Sequence, residues 1–161
     1  MTLPITASRR ILLIEGHPDP SEQRLNHALV SAYADGATSA GHQVRRIAVG
    51  ALDFPFLKTA EAWNHGTLPP ALQPAQDCMA WAEHVVIFFR SGWATCRRCS
   101  RRFWSRWYFR AHSVKSLERN ILGFVGFAPV HETLIGSVES LGPAGVARWL
   151  NKLRKLGAQA T

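Results

Sequence analysis

The residues best placed to do chemistry stand in one short loop. Gly16, His17, Pro18, Asp19, Pro20 and Ser21 follow the apolar run Ile11 to Ile14 and lead into a segment of helical period. A loop that feeds a helix N-terminus presents unused backbone N–H groups and the positive end of the helix dipole, a natural seat for phosphate. Ser21 adds a hydroxyl donor, Asn26 one turn later can turn its amide toward the same loop, and the His17 ring can meet a phosphate oxygen. The plainer alternative is a rigid Pro-Asp-Pro turn with Ser21 as helix cap. The loop is neither a Walker loop nor the GxGxxG of a dinucleotide fold.

Two other constellations carry less. Cys96-Arg-Arg-Cys99 has the spacing of half a zinc knuckle or of a redox pair. No second pair stands at a recognised spacing and the flanking arginines repel a cation, so no metal is expected. Arg90, Arg97, Arg98, Arg101, Arg102, Arg106 and Arg110, interleaved with Trp93, Trp104 and Trp107, resemble a surface that meets phosphates and stacks on bases. The formal net charge of +8 is concentrated there, and the remainder of the chain is nearly neutral. A nucleic-acid partner is therefore not expected.

The elements that must position the loop follow from hydrophobic period. Ile11 to Ile14 reads as a buried parallel strand. Ser21 opens a helix with Leu25, Ala28, Leu29, Ala32 and Tyr33 on one face and Gly41 as its stop. His42 to Val49 reads as a second strand. Pro70 starts another helix carrying Leu72, Ala75, Met79 and Ala82, and His84 to Phe89 is a third strand. Strand–helix–strand–helix–strand is the mark of a right-handed parallel α/β sheet. The pattern fails from Arg90 to Arg110. It returns as a helix over His112 to Val125, a last strand over Thr133 to Val138, and a helix over Pro143 to Leu156 with Val146, Trp149, Leu150 and Leu153 inward.

With 161 residues, 47% hydrophobic and 19% charged, the chain suits one domain (1–161) with a core of its own and is not a disordered sequence. Its apolar runs are too short to span a bilayer, and Glu15 ends the first of them too early for a signal peptide. Three cysteines without a secretion signal argue against a disulfide framework. The expected location is the cytoplasm.

The stretches ILLIEGHPDPSEQRLNHAL, HQVRRIAVGALDFPF and AEHVVIFF, with RWYFRAHSVKSLERNILGFVGF and HETLIGSVESLG further on, resemble the bacterial flavodoxin-like NAD(P)H dehydrogenase (quinone) family. That family is related to DT-diaphorase and to the ancillary subunits of potassium-efflux systems. The resemblance implies a three-layer flavodoxin-like fold with sheet order 2-1-3-4-5. It also implies bound FAD or FMN, NAD(P)H as hydride donor, a quinone acceptor and a homodimer. It carries cofactor binding onto His17, Ser21, Leu25 and Asn26, and makes Tyr108 and His112 candidates for the polar pair that faces flavin and quinone.

The departure from the family lies after Phe89. Where the family has a Pro-Leu-Trp loop and a Pro-Ala-Leu-Leu-Lys helix start, this chain reads RSGWATCRRCSRRFWSRW. Back-translated in GC-rich codons and read with one preceding C, that string yields PLWLGDMPALLKAFLEQV. Residues 90–107 are accordingly expected to be frame-shifted, with an internal deletion near 107–108 that removes the fourth strand. The alternative function is then a truncated, flavin-free inactive paralogue acting as an interaction or structural protein.

Overall fold

The computed structural model describes residues 7–17, 19, 21, 24–55, 58–89, 122–135 and 140–160. The chain divides into two compact units, one formed by Met1–Arg90 with Gly142–Thr161 and the other by Ser91–Leu141. The expected frame-shifted segment, the deletion, the missing strand, Tyr108 and His112 all lie outside the described residues.

The first unit is built on β1 (Arg10–Glu15), whose Ile11, Leu12 and Leu13 are wholly buried. It pairs in parallel with β2 (Gln43–Ala48) on one side and β3 (His84–Phe88) on the other, giving the order β2-β1-β3. A central parallel strand is covered on both faces, which is why its sequence is a continuous apolar run instead of an alternation. Ile11 stands opposite Val44 and His84, and Glu15 opposite Ala48 and Phe88. The order and the parallel sense are those of the flavodoxin-like arrangement expected from the sequence.

Helix α1 (Leu25–Ser39) returns the chain from β1 to β2. It stops at Gly41, whose φ of +87° is the left-handed conformation that glycine adopts without penalty. Helix α2 (Ala60–His65) and helix α3 (Gln73–Trp81) lie between β2 and β3, and Pro70 opens a 3₁₀ turn that runs directly into α3. Period two sends the adjacent Arg45 and Arg46 of β2 to opposite faces of the sheet. Arg45 lies 4.2 Å over the Trp81 ring of α3, while Arg46 turns toward α1.

Helix α4 (Gly142–Gln159) packs on α1, with Gly145, Leu153 and Gly157 buried. The approach is closer than side chains permit. A Cβ on Gly36 would collide with the Arg154 backbone, and one on Gly157 with the Tyr33 carbonyl oxygen. His42, 4% exposed, closes the same corner. Its Nδ1 accepts the Arg9 N–H at 3.1 Å and its Nε2 donates to the Ala158 carbonyl at 3.3 Å, so the neutral ring is fully used. Arg9 adds a bond to the Ala160 carbonyl at 3.1 Å.

Tyr33 of α1 is 1% exposed, meets Phe88 edge-on at 6.1 Å and lies 3.2 Å from Nε2 of His84 through its hydroxyl. Burial pushes the phenol up to about 12. At the amino end of the sheet, the Glu83 carboxylate accepts the Arg10 backbone N–H and its guanidinium. Those two bonds hold the carboxyl below its usual range.

Two expectations change. The helix predicted from Ser21 begins at Leu25, with Arg24 as a cap that uses no side chain. The Ser21 carbonyl accepts the Arg24 N–H in a turn of its own, and helical bonding starts only at the Arg24 carbonyl, which takes the His27 and Ala28 N–H groups. In the second unit, residues 133–135 form no strand, while 136–139 lie outside the described residues. A β-branched run becomes a strand only beside a partner edge, and among the described residues none pairs with it. The Phe127 N–H instead closes a turn onto the Leu122 carbonyl at 2.9 Å through Gly126, φ +93°.

Substituting Gly157→Ala is expected to destabilise the first unit by about 3 kcal/mol, because both colliding groups are backbone; urea unfolding of wild type and variant measures it. The Tyr33 phenol keeps its proton in the folded state beyond the point where the unfolded chain releases it. Stability should therefore fall as pH rises from about 10 to about 12. In Tyr33→Phe that decline should vanish from the pH dependence of the unfolding midpoint, and its persistence would assign it elsewhere.

Candidate functional site

The carboxyl end of the sheet is organised by Glu15, a carboxylate 1% exposed at the close of β1. Leu13 and Glu15 share a face, and Arg46 stands opposite Leu13, so the guanidinium reaches diagonally along that face. Arg46 places Nε at 3.1 Å and Nη2 at 2.6 Å from Oε2 of Glu15. The other oxygen accepts the Asn26 amide at 3.2 Å and Nδ1 of His27 at 2.5 Å. Among the described residues no buried side-chain polar atom is left without a partner.

His27 also ties the site to the loop, because its Nε2 lies 3.0 Å from the Asp19 carbonyl oxygen. Both ring nitrogens thus face oxygen atoms. Glu15 pairs with the Arg46 guanidinium and has the His27 ring and the Asn26 amide as further partners. Asp19 fixes the rest of the loop. Its carboxylate accepts the Ser21 N–H at 2.9 Å and Arg24 Nε at 2.7 Å, and these bonds, the backbone one foremost, hold the carboxyl below its usual range. The Asp19 N–H donates to His17 Nδ1 at 3.1 Å, and the His17 and His27 rings lie 5.9 Å apart.

Above this cluster is a cavity of about 450 Å³ between α1 and the carboxyl ends of β1 and β2. Glu15, His17, His27, Ser31 and Arg46 supply its polar wall, and the small residues Ala28, Ala48, Gly50 and Ala51 leave its volume open. On the other side of β1, Gly16 donates to the Phe88 carbonyl at 2.7 Å, and a Cβ there would stand 3.3 Å from that oxygen. Glycine lets the end of β1 run against the end of β3 at the point where the strand order reverses.

The residues singled out in the sequence are placed unequally. His17 lines the cavity. Asn26 turns its amide down onto Glu15, Leu25 is half-buried at the first turn of α1, and Ser21 is exposed in the loop. Glu15, His27 and Arg46 were missed. The signal for Glu15 was present, since an acid closing a strand of wholly buried residues must find donors. Among the described residues no group of three or more His, Cys, Asp or Glu stands as a metal cluster; Cys96 and Cys99 lie outside them. No described helix is long and apolar enough to cross a membrane.

An N–H, hydroxyl and guanidinium donor set beside a loop that enters a helix fits the phosphate end of a nucleotide cofactor. A parallel sheet of order β2-β1-β3 with such a site at its carboxyl end is the flavodoxin-like class. The model of the flavodoxin-like fold family matches residues 9–96, and the chain belongs to that family. No curated protein matches the sequence. Among solved structures, an NAD(P)H:quinone oxidoreductase from Methanothermobacter marburgensis superposes with a TM-score of 0.70 at 13% identity, over 96% of this chain and 100% of that one. At that identity the likeness is one of fold.

Removing the organising carboxylate should be costly. Glu15→Ala leaves Arg46 and His27 facing each other across an empty corner and is expected to lower stability by about 3 kcal/mol, somewhat reduced because Arg46 is partly exposed. Glu15→Gln, which keeps two hydrogen-bonding atoms, should lose less. Guanidinium unfolding of both variants reads the difference.

Proposed function

We propose that the chain is an NAD(P)H-dependent flavin oxidoreductase of the quinone reductase type, cytoplasmic and homodimeric, that passes two electrons to a quinone. The observation that carries the reading is the cluster of donors held by Glu15, set beside a fixed loop at the carboxyl end of a flavodoxin-like sheet. Family membership and the fold likeness to a quinone oxidoreductase support it.

In this reading the loop from Gly16 to Asn26 holds the phosphate end of FAD or FMN. His17 offers its ring, Ser21 its hydroxyl, and Leu25 and Asn26 the first backbone N–H groups of α1. Arg46 supplies a guanidinium behind them. The flavin, when bound, supplies the chemistry of accepting a hydride from NAD(P)H and delivering it to the acceptor. The protein's part is to anchor, orient and tune. Glu15 holds Arg46 and His27 at fixed positions, so that no reorganisation is needed when an anion arrives. Gly16 gives the ligand a narrow floor between β1 and β3, and the fused loop of Asp19, Ser21 and Arg24 limits how far the anchor can move. Tyr108 and His112 are the candidates for holding or moving a proton at the ring end.

The purified protein, reconstituted with FAD or FMN, should absorb at ~450 nm, a band belonging to the flavin itself. It should also oxidise NAD(P)H when a quinone is added. A colourless protein that consumes no NAD(P)H after reconstitution would refute the proposal.

A further inference from the structure

Helix α4 buries one side against α1 and leaves the other to solvent. Arg148, Lys152, Arg154 and Lys155 are all exposed, and the helix contains no acidic residue. The ion pairs among the described residues join Arg10, Arg24, His27 and Arg46 to their carboxylates, and none reaches α4. At 3.6 residues per turn, Arg148, Lys152 and Lys155 fall within about 60° of arc and about 10 Å of helix length, so they form one stripe. Arg154 turns away from it, bonds to Asn151 Oδ1 at 3.1 Å and lines a shallow groove with Asp35 of α1. Trp149 and Leu156, both half-buried, border the stripe, and the Lys152 ammonium stands 4.6 Å from the centre of the Trp149 ring. Like charges one turn apart repel, so the stripe itself returns nothing to the fold. It becomes favourable only when an anionic surface faces it.

We propose that the solvent face of α4 docks on the anionic headgroup layer of a membrane, with Arg148, Lys152 and Lys155 meeting lipid phosphates and Trp149 at the edge of the contact. Charge complementarity carries the choice of partner. A convex helix surface offers no walls to hold an extended peptide or a nucleic-acid strand, whereas a fluid lipid layer brings an anion to each cation. A basic stripe flanked by Trp and Leu is also the composition of helices that lie on membranes. Gly145, Leu153 and Gly157 stay buried on the other side of α4, and no described helix is long and apolar enough to cross a bilayer. The contact is therefore peripheral and electrostatic. It does not rest on the oxidoreductase reading, because lipid meets neither the loop nor the cavity of that site.

The test sediments the full chain with vesicles of phosphatidylcholine alone and of phosphatidylcholine mixed with phosphatidylglycerol. Wild type should sediment with the anionic vesicles, stay in solution with the neutral ones, and be released as added salt screens exposed charges. Arg148→Gln/Lys152→Gln/Lys155→Gln should bind the anionic vesicles about a hundredfold more weakly, the scale of three charges at such a surface. Its melting temperature should be no lower than that of wild type, because glutamine suits an exposed helix. If that variant melts early, Arg148→Gln/Lys155→Gln, which spares the contact of Lys152 with Trp149, should still lose about thirtyfold. Lys152→Arg/Lys155→Arg keeps the charge and should bind as wild type does. Arg97→Gln/Arg98→Gln/Arg101→Gln removes the same charge from the arginine-rich stretch and should lose far less than the α4 variant. The docking face is refuted if anionic vesicles leave wild type in solution or bind the α4 variant equally well. It is refuted too if the arginine-stretch variant loses as much as the α4 variant, since the attraction is then one of net charge. Binding of polyglutamate or a single-stranded oligonucleotide through the three α4 residues, with no binding of anionic vesicles, would overturn it in favour of that partner.

Discussion

A carboxylate 1% exposed at the end of the central strand is the constraint on which the working end of this protein depends. Burying an ion alone costs several kcal/mol, more than most single contacts return, so Glu15 is tolerable only where donors surround it. They come from two directions, Asn26 and His27 on α1 and Arg46 on β2. The same bonds that satisfy the acid therefore set how the first turn of α1 sits over the strand ends. Through the His27 contact to the Asp19 carbonyl they also set where the loop lies. The loop is not a free segment awaiting a ligand; its shape is dictated from beneath.

At the other end of α1 the governing constraint is steric. Gly36 and Gly157 let α1 and α4 approach until backbone meets backbone, and His42 spends both ring nitrogens on joining the β1 entry to the α4 terminus. Close packing of the two backbones gives dispersion contact that offsets the extra backbone entropy glycine loses in a helix. The helix is thus fixed at one end by charge and at the other by shape, with the buried Tyr33 between them.

Much of this architecture was legible in the sequence. The apolar runs of β1 and β3, the helical period of α1 and the stop at Gly41 each follow from local rules, and together they define a parallel sheet. What local rules could not supply was partnership. Ser21 looked like a cap because serine often is one, yet the helical bonds begin only at the Arg24 carbonyl. Residues 133–135 have the composition of a strand, but composition does not provide an edge to pair with. Nothing local distinguishes the adjacent Arg45 and Arg46, and only the register against Leu13 shows that one stacks on Trp81 while the other pairs with Glu15. The candidate site was legible at His17 and in the loop's position. Its floor of Glu15, His27 and Arg46 depends on contacts between residues far apart in sequence.

The first unit is discontinuous, closed by a helix that begins at Gly142 after the chain has passed through the residues of the other unit. During synthesis, the face of α1 around Gly36 is made more than a hundred residues before the helix that covers it. Until α4 leaves the ribosome, the nascent sheet carries a bare helical flank around Tyr33, Gly36 and Ala37, the kind of surface on which chaperones and aggregation compete. The backbone contact between Gly36 and Arg154 thus joins earlier and later chain, and the first unit is completed only once both have been made.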